Sequence, residues 1–271
     1  MATRTSRLRR LLIFAASFYV FTTVILLISE PYQVYRPFAG PSDPAKAGLP
    51  KFTAKTLDAE GLPTILYWEN APSTKAPSVF YFHGNGGGLF MHTALPDFLD
   101  KAGLHVVAIE YPSYPGAQGR PSESVIIAQA LALWDAKVTK SAQHPTAIWG
   151  YSLGSGVAAQ LAAQRQSSAV ILEAPFTAVV DRAAELYPIF PVRYFMKNTY
   201  RSRDYIARIN APLLILHGDE DIIIPIHHGR ELFALAKEPK KFVEYKGFGH
   251  LDLMDSPAYD DALAFIRRHT Q

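Results

Sequence analysis

Thr146 to Ala159 reads TAIWGYSLGSGVAA. Its opening residues suit a buried strand, its residues from Leu153 onward form a small-residue run suited to a helix, and Gly150-Tyr151-Ser152-Leu153-Gly154 joins the two. A serine hydroxyl is a poor nucleophile at neutral pH, so an enzyme that uses one must expose the oxygen and remove its proton. Glycines flanking Ser152 permit the sharp strand-to-helix turn that lifts Oγ from a sheet edge. Gly-x-Ser-x-Gly alone is a short pattern that also occurs in turns without chemistry. Here the strand before it and the close-packing helix after it make Ser152 a candidate nucleophile.

Outward from this stretch, apolar strand-like runs alternate with helical patterns. The strand candidates are 63–69, 78–84, 105–111, 146–152, 169–176, 212–219 and 240–246, several of them apolar on both faces. Helical candidates lie around 88–102, 122–138, 152–164, 228–237 and 258–269. Repeated β-then-α units predict an α/β fold, a mostly parallel central sheet with helices on both faces. Thr177 to Ala211 interrupts the alternation with a stretch rich in aromatics and prolines. An insertion of this kind is expected to form a small lid over the site, the alternative being a packed helical layer without such a role.

The N-terminus differs in kind. Residues 1–10 are a basic tail carrying Arg4, Arg7, Arg9 and Arg10, and residues 11–29 contain no charged side chain. As a helix, residues 11–29 would be about 28 Å long, close to the hydrocarbon thickness of a bilayer. A cleaved signal peptide is the alternative, but the apolar run exceeds a usual signal core and no small-x-small cleavage pattern follows. The expectation is a transmembrane signal anchor with the N-terminus cytoplasmic and the remainder on the non-cytoplasmic side, periplasmic in a bacterium. Residues 30–50, rich in Pro and Gly, read as a stem, with the folded domain occupying 51–271.

Composition narrows the partners. The 271 residues suffice for one ordinary α/β domain, and 27 Lys+Arg against 24 Asp+Glu leave a net charge of only +3, which argues against nucleic acid. The absence of cysteine excludes disulfides, thiolate metal sites and cysteine nucleophiles.

A base for Ser152 is offered by His250 in YKGFGHLDL, a glycine-flanked loop after the last strand candidate. The carboxylate that would orient it is expected in LLILHGDEDIIIP, where Asp221 is preferred, Asp219 is next, and Glu173 after the preceding strand is held in reserve. YFHGNGGG supplies a turn whose backbone amide at Asn85, or at Gly86, can join that of Leu153 in stabilising an oxyanion, with His83 holding the turn. That loop lacks the Gly-Lys-Ser/Thr of a phosphate-binding P-loop and the context of a dinucleotide fingerprint, so no cofactor is expected. His227 and His228 lack further ligands at recognisable spacing and read as a solvated helix start, so no metal is expected.

Four separated motifs, HGNGG (83–87), GYSLGSG (150–156), LHGDEDIIIP (216–225) and GFGH (247–250), together with EYPSYPGAQGRPSE (110–123), resemble the α/β-hydrolase superfamily. Within it the chain is similar to the serine-aminopeptidase-type hydrolases, and most to their N-terminally membrane-anchored α/β-hydrolase-domain members. The resemblance implies Ser152, Asp221 and His250 as a catalytic triad, with Asn85 and Leu153 as oxyanion donors. It also implies hydrolysis of carboxylic esters or thioesters of hydrophobic acyl groups. Two departures matter: Tyr111-Pro112-Ser113-Tyr114-Pro115-Gly116 replaces the usual Tyr-Arg-Gly-Tyr-Gly type of loop, and Gly154-Ser155-Gly156 lacks the double glycine of prolyl-peptidase relatives. Serine at position 152 disfavours dehalogenase and epoxide-hydrolase chemistry, which needs aspartate there. In the insertion, Tyr187, Phe190, Tyr194, Phe195 and Met196 are candidate walls of an acyl pocket near the membrane. An amidase or peptidase using the same triad and a non-catalytic binding module on the same fold are the alternatives.

Overall fold

The computed structural model describes residues 4–72, 76–138 and 145–270. Helix α1 (Arg4–Val34) leads into a two-residue strand β1 (Arg36–Pro37), followed by β2 (Phe52–Leu57), β3 (Ile65–Asn70), β4 (Ser78–Phe82) and β5 (Gly86–Gly87). Next come α2 (Ala94–Lys101), β6 (His105–Ile109), α3 (Glu123–Lys137), β7 (Thr146–Tyr151), α4 (Leu153–Ala162) and β8 (Ala169–Glu173). The remaining elements are α5 (Val179–Leu186), α6 (Val192–Phe195), β9 (Leu213–Gly218), α7 (His227–Leu235), β10 (Lys240–Tyr245) and α8 (Ala258–His269).

Eight strands form one sheet in the order β10-β9-β8-β7-β4-β6-β3-β2. β3 pairs antiparallel with both β2 and β6, and the other pairings are parallel. Alternate residues of each central strand enter opposite cores: Phe80, Phe82 and Ile148 pack with α3 and α4, whereas Val79, Tyr81 and Trp149 pack with α2 and α8. The α/β architecture expected from the alternation is therefore present. β2 escaped the strand pattern because four of its six residues are exposed on the sheet edge, so it lacks the apolar run that marks a buried strand.

α4 sits closest to the sheet. A Cβ on Gly154 would lie 2.0 Å from the carbonyl oxygen of Phe82, and one on Gly150 would lie 2.3 Å from the carbonyl of Gly154. Only glycine lets β7, β4 and the first turn of α4 approach this far, and that approach sets Ser152 at the carboxyl edge of the sheet, beside β4 and β8.

Parts of residues 30–50, read from the sequence as a stem, pack into the domain. Glu30, Val34, Tyr35 and Leu49 are buried, and Val34 and Tyr35 join the core on the α3–α4 face. The Tyr35 hydroxyl donates to Asn198 Oδ1 and lies 2.9 Å from the Tyr200 hydroxyl. β1 pairs in parallel with β5, matching Arg36 to Gly86 and Pro37 to Gly87. These partners are far away in sequence, so local Pro/Gly content could not announce them. α1 from Arg7 onward is long and apolar enough to cross a membrane.

Candidate active site

Ser152 occupies the turn between β7 and α4 with φ 51° and ψ −118°, a conformation costly for a residue with a Cβ. Its amide donates to the carbonyl of Glu173 on the neighbouring strand, and its carbonyl accepts from Ser155 Oγ at 2.6 Å. Backbone ties on both sides thus hold the strained turn.

The side chain points at His250. Ser152 Oγ lies 2.9 Å from His250 Nε2, and His250 Nδ1 lies 2.7 Å from Asp221 Oδ2. All three residues are buried. Asp221 Oδ1 accepts the amides of Ile223 and Ile224 at 2.9 and 2.7 Å, and Oδ2 also faces His217 Nε2 at 3.4 Å. Burial works to raise the Asp221 pKa, but the hydrogen bonds from His217, His250 and the Ile224 amide outweigh it and hold the carboxyl well below the usual range. The structure therefore brings together the three residues singled out from 152, 221 and 250. The alternatives lie elsewhere: Asp219 accepts the amide of Gly247 at 2.7 Å, bracing the loop that carries His250, and Glu173 accepts from Trp149 Nε1 at 2.9 Å.

Facing Ser152 is the loop of residues 83–89. Buried His83 is held between the carbonyl of Gly84 at 2.7 Å and Glu110 Oε1 at 2.9 Å, while Glu110 Oε2 accepts the Leu89 amide. The Asn85 carbonyl accepts from the Tyr114 hydroxyl and from the Arg36 amide, so the loop is fixed from β1 as well. Burial, followed by the neighbouring His83, pushes His92 down to about 3. His92 is thus neutral, and its Nε2 donates to the carbonyl of Gly86 at 3.0 Å. Asn85 and Leu153 both border the cavity at Ser152. Leu153 is the first residue of α4, where an amide has no acceptor within its own helix.

Two cavities meet at Ser152, both bordered by Arg36, Asn85 and Ile223. The first, about 310 Å³, is walled by apolar side chains of the insertion and of α1. The second, about 420 Å³, is walled by His92, Tyr151, Glu173, His250 and Tyr259 among others. Of the aromatic and thioether side chains expected as acyl-pocket walls, Tyr187 and Met196 do border the first cavity. Phe190 and Tyr194 instead border a separate depression with Tyr19, and Phe195 borders neither and is exposed. The correction follows from the insertion's shape, because α5 and α6 are short and broken by a Pro-containing turn, so successive aromatics turn outward.

Sequence reading also missed Tyr151, whose hydroxyl donates to the His250 carbonyl at 3.0 Å and whose ring lies beside the imidazole. The signal was available, since an aromatic at the second position of the pentapeptide stands next to the turn. His227 is exposed at the start of α7, as expected of a solvated helix start, whereas His228 is not. Their Nε2 atoms face Glu185 of α5 at 3.0 and 3.3 Å, and His228 is buried. These three side chains bring potential ligand atoms within 4.8 Å of one another, but Arg182 Nη1 already shares the carboxylate at 3.0 Å and supplies its counter-charge.

Glu173 permits a stability prediction. Burial pushes its carboxyl up to about 7 from an ordinary 4.5, the Trp149 hydrogen bond acting in the opposite sense. A carboxyl with a raised folded pKa favours the folded state below the unfolded value, and this contribution is lost as pH rises through the folded value. At about 1.4 kcal/mol per pH unit between 4.5 and 7, the loss by pH 8 is on the order of 3 kcal/mol. Glu173→Gln keeps an acceptor for Trp149 without the charge, so its Tm is expected to exceed wild type by several degrees at pH 8 but not at pH 4.5. Equal Tm differences at the two pH values would show that this carboxyl is not the source.

Known proteins similar to this chain agree with the fold. Residues 77–195 match a family described as alpha/beta hydrolase fold. The uncharacterized protein Rv2307c of Mycobacterium tuberculosis is 34% identical over 266 residues, covering 95% of this chain and 94% of that protein. Lysophosphatidylserine lipase ABHD12 of Xenopus tropicalis is 32% identical over 209 residues, covering 70% of this chain and 54% of that protein. The chain thus spans about half the length of that lipase. Among solved structures, the Pyrococcus furiosus esterase Pf2001 superposes with a TM-score of 0.70 at 14% identity, covering 89% of this chain and 99% of the esterase, a likeness of fold.

Proposed function

This chain belongs to the α/β-hydrolase superfamily, and from that premise we propose that it is a membrane-anchored serine hydrolase cleaving carboxylic esters or thioesters of hydrophobic acyl groups. The observation that carries the reading is the position of Ser152 Oγ, at the junction of two cavities and in line with His250 and Asp221. In this reading Ser152 Oγ attacks the acyl carbonyl while His250 Nε2 takes its proton. The amides of Asn85 and Leu153 hold the oxyanion, and His250 returns the proton to the leaving oxygen. Water then repeats the sequence against the acyl-enzyme, with His250 again as base. Asp221 keeps the Nδ1 proton of His250 in place and stabilises the imidazolium. The apolar cavity takes the acyl chain, and the cavity beside His250 takes the leaving group, which must lie where His250 can protonate it.

Similarity to proteins named as lysophosphatidylserine lipases supports a single-chain amphiphile as substrate. The apolar run of α1 and the arginines before it support an anchor with the N-terminus cytoplasmic and the hydrolase domain on the opposite side, periplasmic in a bacterium. The test is turnover by the detergent-solubilised full-length protein across esters of graded acyl length and their matched amides. Esters of long acyl groups are expected to turn over with the highest kcat/KM, and amides at least 100-fold more slowly. Preferential turnover of amides would replace the esterase reading with an amidase. No turnover, with no labelling of Ser152 by a fluorophosphonate, would leave a binding module.

A further inference from the structure

The anchor helix does more than approach the domain. Leu26, Leu27, Glu30, Gln33 and Val34 of α1 border the same cavity as Ser152, opposite Leu186, Tyr187 and Val192 of the insertion. The helix is fastened to that insertion at points between Tyr19 and Gln33. Tyr19 donates to the Ile189 carbonyl at 2.7 Å and stacks on Phe190 at 5.4 Å, and Tyr187 donates to Gln33 Oε1 at 3.1 Å. Glu30 Oε1 accepts both the backbone amide and the side-chain amide of Asn198. Two residues past the helix, Arg36 pairs with the loop that carries Asn85.

This arrangement fixes a depth. Tyr19 precedes the end of the uncharged run at Ser29 by ten residues, about 15 Å of helix, roughly half of a bilayer's hydrocarbon thickness. The insertion that touches Tyr19 exposes Ile189 at 71% and Tyr194 at 85%. A helix crossing the bilayer therefore carries these side chains into the leaflet beside it. Leu26 and Leu27 lie in the last turn of the uncharged run, so the apolar cavity begins where the leaflet ends. On this path an acyl chain passes from lipid to Ser152 without exposing its methylenes to water, an exposure that the hydrophobic effect opposes.

We propose that the last turns of α1 are one wall of the acyl-chain site, and that the chain of a membrane lipid enters sideways from the leaflet between Leu26 and Leu27 and the insertion. This rests on the serine-hydrolase reading above. The consequence is that α1 selects for acyl length, and that an unrelated transmembrane helix would not substitute for it.

The test uses the full-length protein in phosphatidylcholine nanodiscs, with palmitoyl and butyryl esters of one alcohol. Leu26→Trp and Leu27→Trp are expected to lower the palmitoyl-to-butyryl ratio of kcat/KM at least tenfold. Leu11→Trp, at an exposed position outside the cavity, should leave the ratio within twofold. A milder variant guards against misfolding, and the cysteine-free sequence makes it specific. In Leu27→Cys, reaction of the new thiol with a methanethiosulfonate reagent should slow at least tenfold when Ser152 carries a hexadecyl phosphonate, and less than twofold when it carries an ethyl phosphonate. An active wild type with unchanged ester ratios and no such protection would overturn the acyl wall alone. A wild type that neither cleaves esters nor reacts with either phosphonate would overturn the hydrolase reading, and the acyl wall with it.

Discussion

Ser152→Ala is expected to lower ester turnover by 10⁴-fold or more, with Tm within a few degrees of wild type. The size of the loss follows from the role assigned to Oγ. Without it no acyl-enzyme forms, and only the oxyanion donors and substrate positioning remain to assist direct attack by water. The small effect on stability follows from the contacts. The backbone bonds of residue 152, to Glu173 and from Ser155, do not involve Oγ, whose side-chain partner is His250. Alanine also keeps the Cβ that makes φ 51° costly, so the turn remains strained. Ser152→Gly should lose activity equally yet gain about 1 kcal/mol of stability by relieving that conformation. Turnover of a long-chain ester, read beside thermal melting of all three proteins, checks both effects. An alanine variant retaining a tenth of wild-type activity would mean that another group attacks the carbonyl.

What the sequence could and could not disclose follows from the range of each interaction. The runs at 78–84, 105–111, 146–152, 169–176 and 212–219 announced themselves because the strands formed there are buried on both faces and need continuous apolar side chains. β2, on the edge, and β1 and β5, two residues each, need no such pattern. Glycines around Ser152 were legible because a sharp turn and a close helix demand them locally. The fate of residues 30–50 was not, because Tyr35 and Glu30 are satisfied by Asn198 and Tyr200, more than 160 residues away. The acyl-pocket reading was divided for the same reason. Tyr187 and Met196 border the cavity while Phe190, Tyr194 and Phe195 do not, and a Pro-broken insertion has no helical period from which to tell these apart. About a quarter of the cavity wall comes from α1, including Leu26 and Leu27, which sequence alone assigns to lipid.

The choice between Asp219 and Asp221 can be tested by changing two atoms. Asp221→Asn is expected to lower kcat by about 10⁴-fold with little change in KM, whereas Asp219→Asn should stay within threefold of wild type. The reason lies in how Asp221 is held. Its Oδ1 accepts two backbone amides, from Ile223 and Ile224, and that position can be filled only by an acceptor. In asparagine the carbonyl oxygen must stay there, which turns the amide nitrogen toward His250 Nδ1 and His217 Nε2. His217 already donates to the Ile224 carbonyl, so it cannot readily accept from the new amide. His250 can, but only as the tautomer that carries its proton on Nε2. That proton then faces Ser152 Oγ, and the imidazole can no longer take one from it. Asp219 differs because its Oδ1 accepts a single amide, from Gly247, and an asparagine oxygen does the same. The charge itself leaves a second signature. A carboxyl held below its usual pKa stabilises the fold above the ordinary aspartate range, and that stabilisation is lost as pH falls toward the depressed value. Wild type should therefore lose Tm between pH 4 and pH 2 more steeply than Asp221→Asn, which has no such group to protonate. If Asp219→Asn proved the inactive variant, the carboxylate bracing the Gly247 loop would be the one His250 depends on.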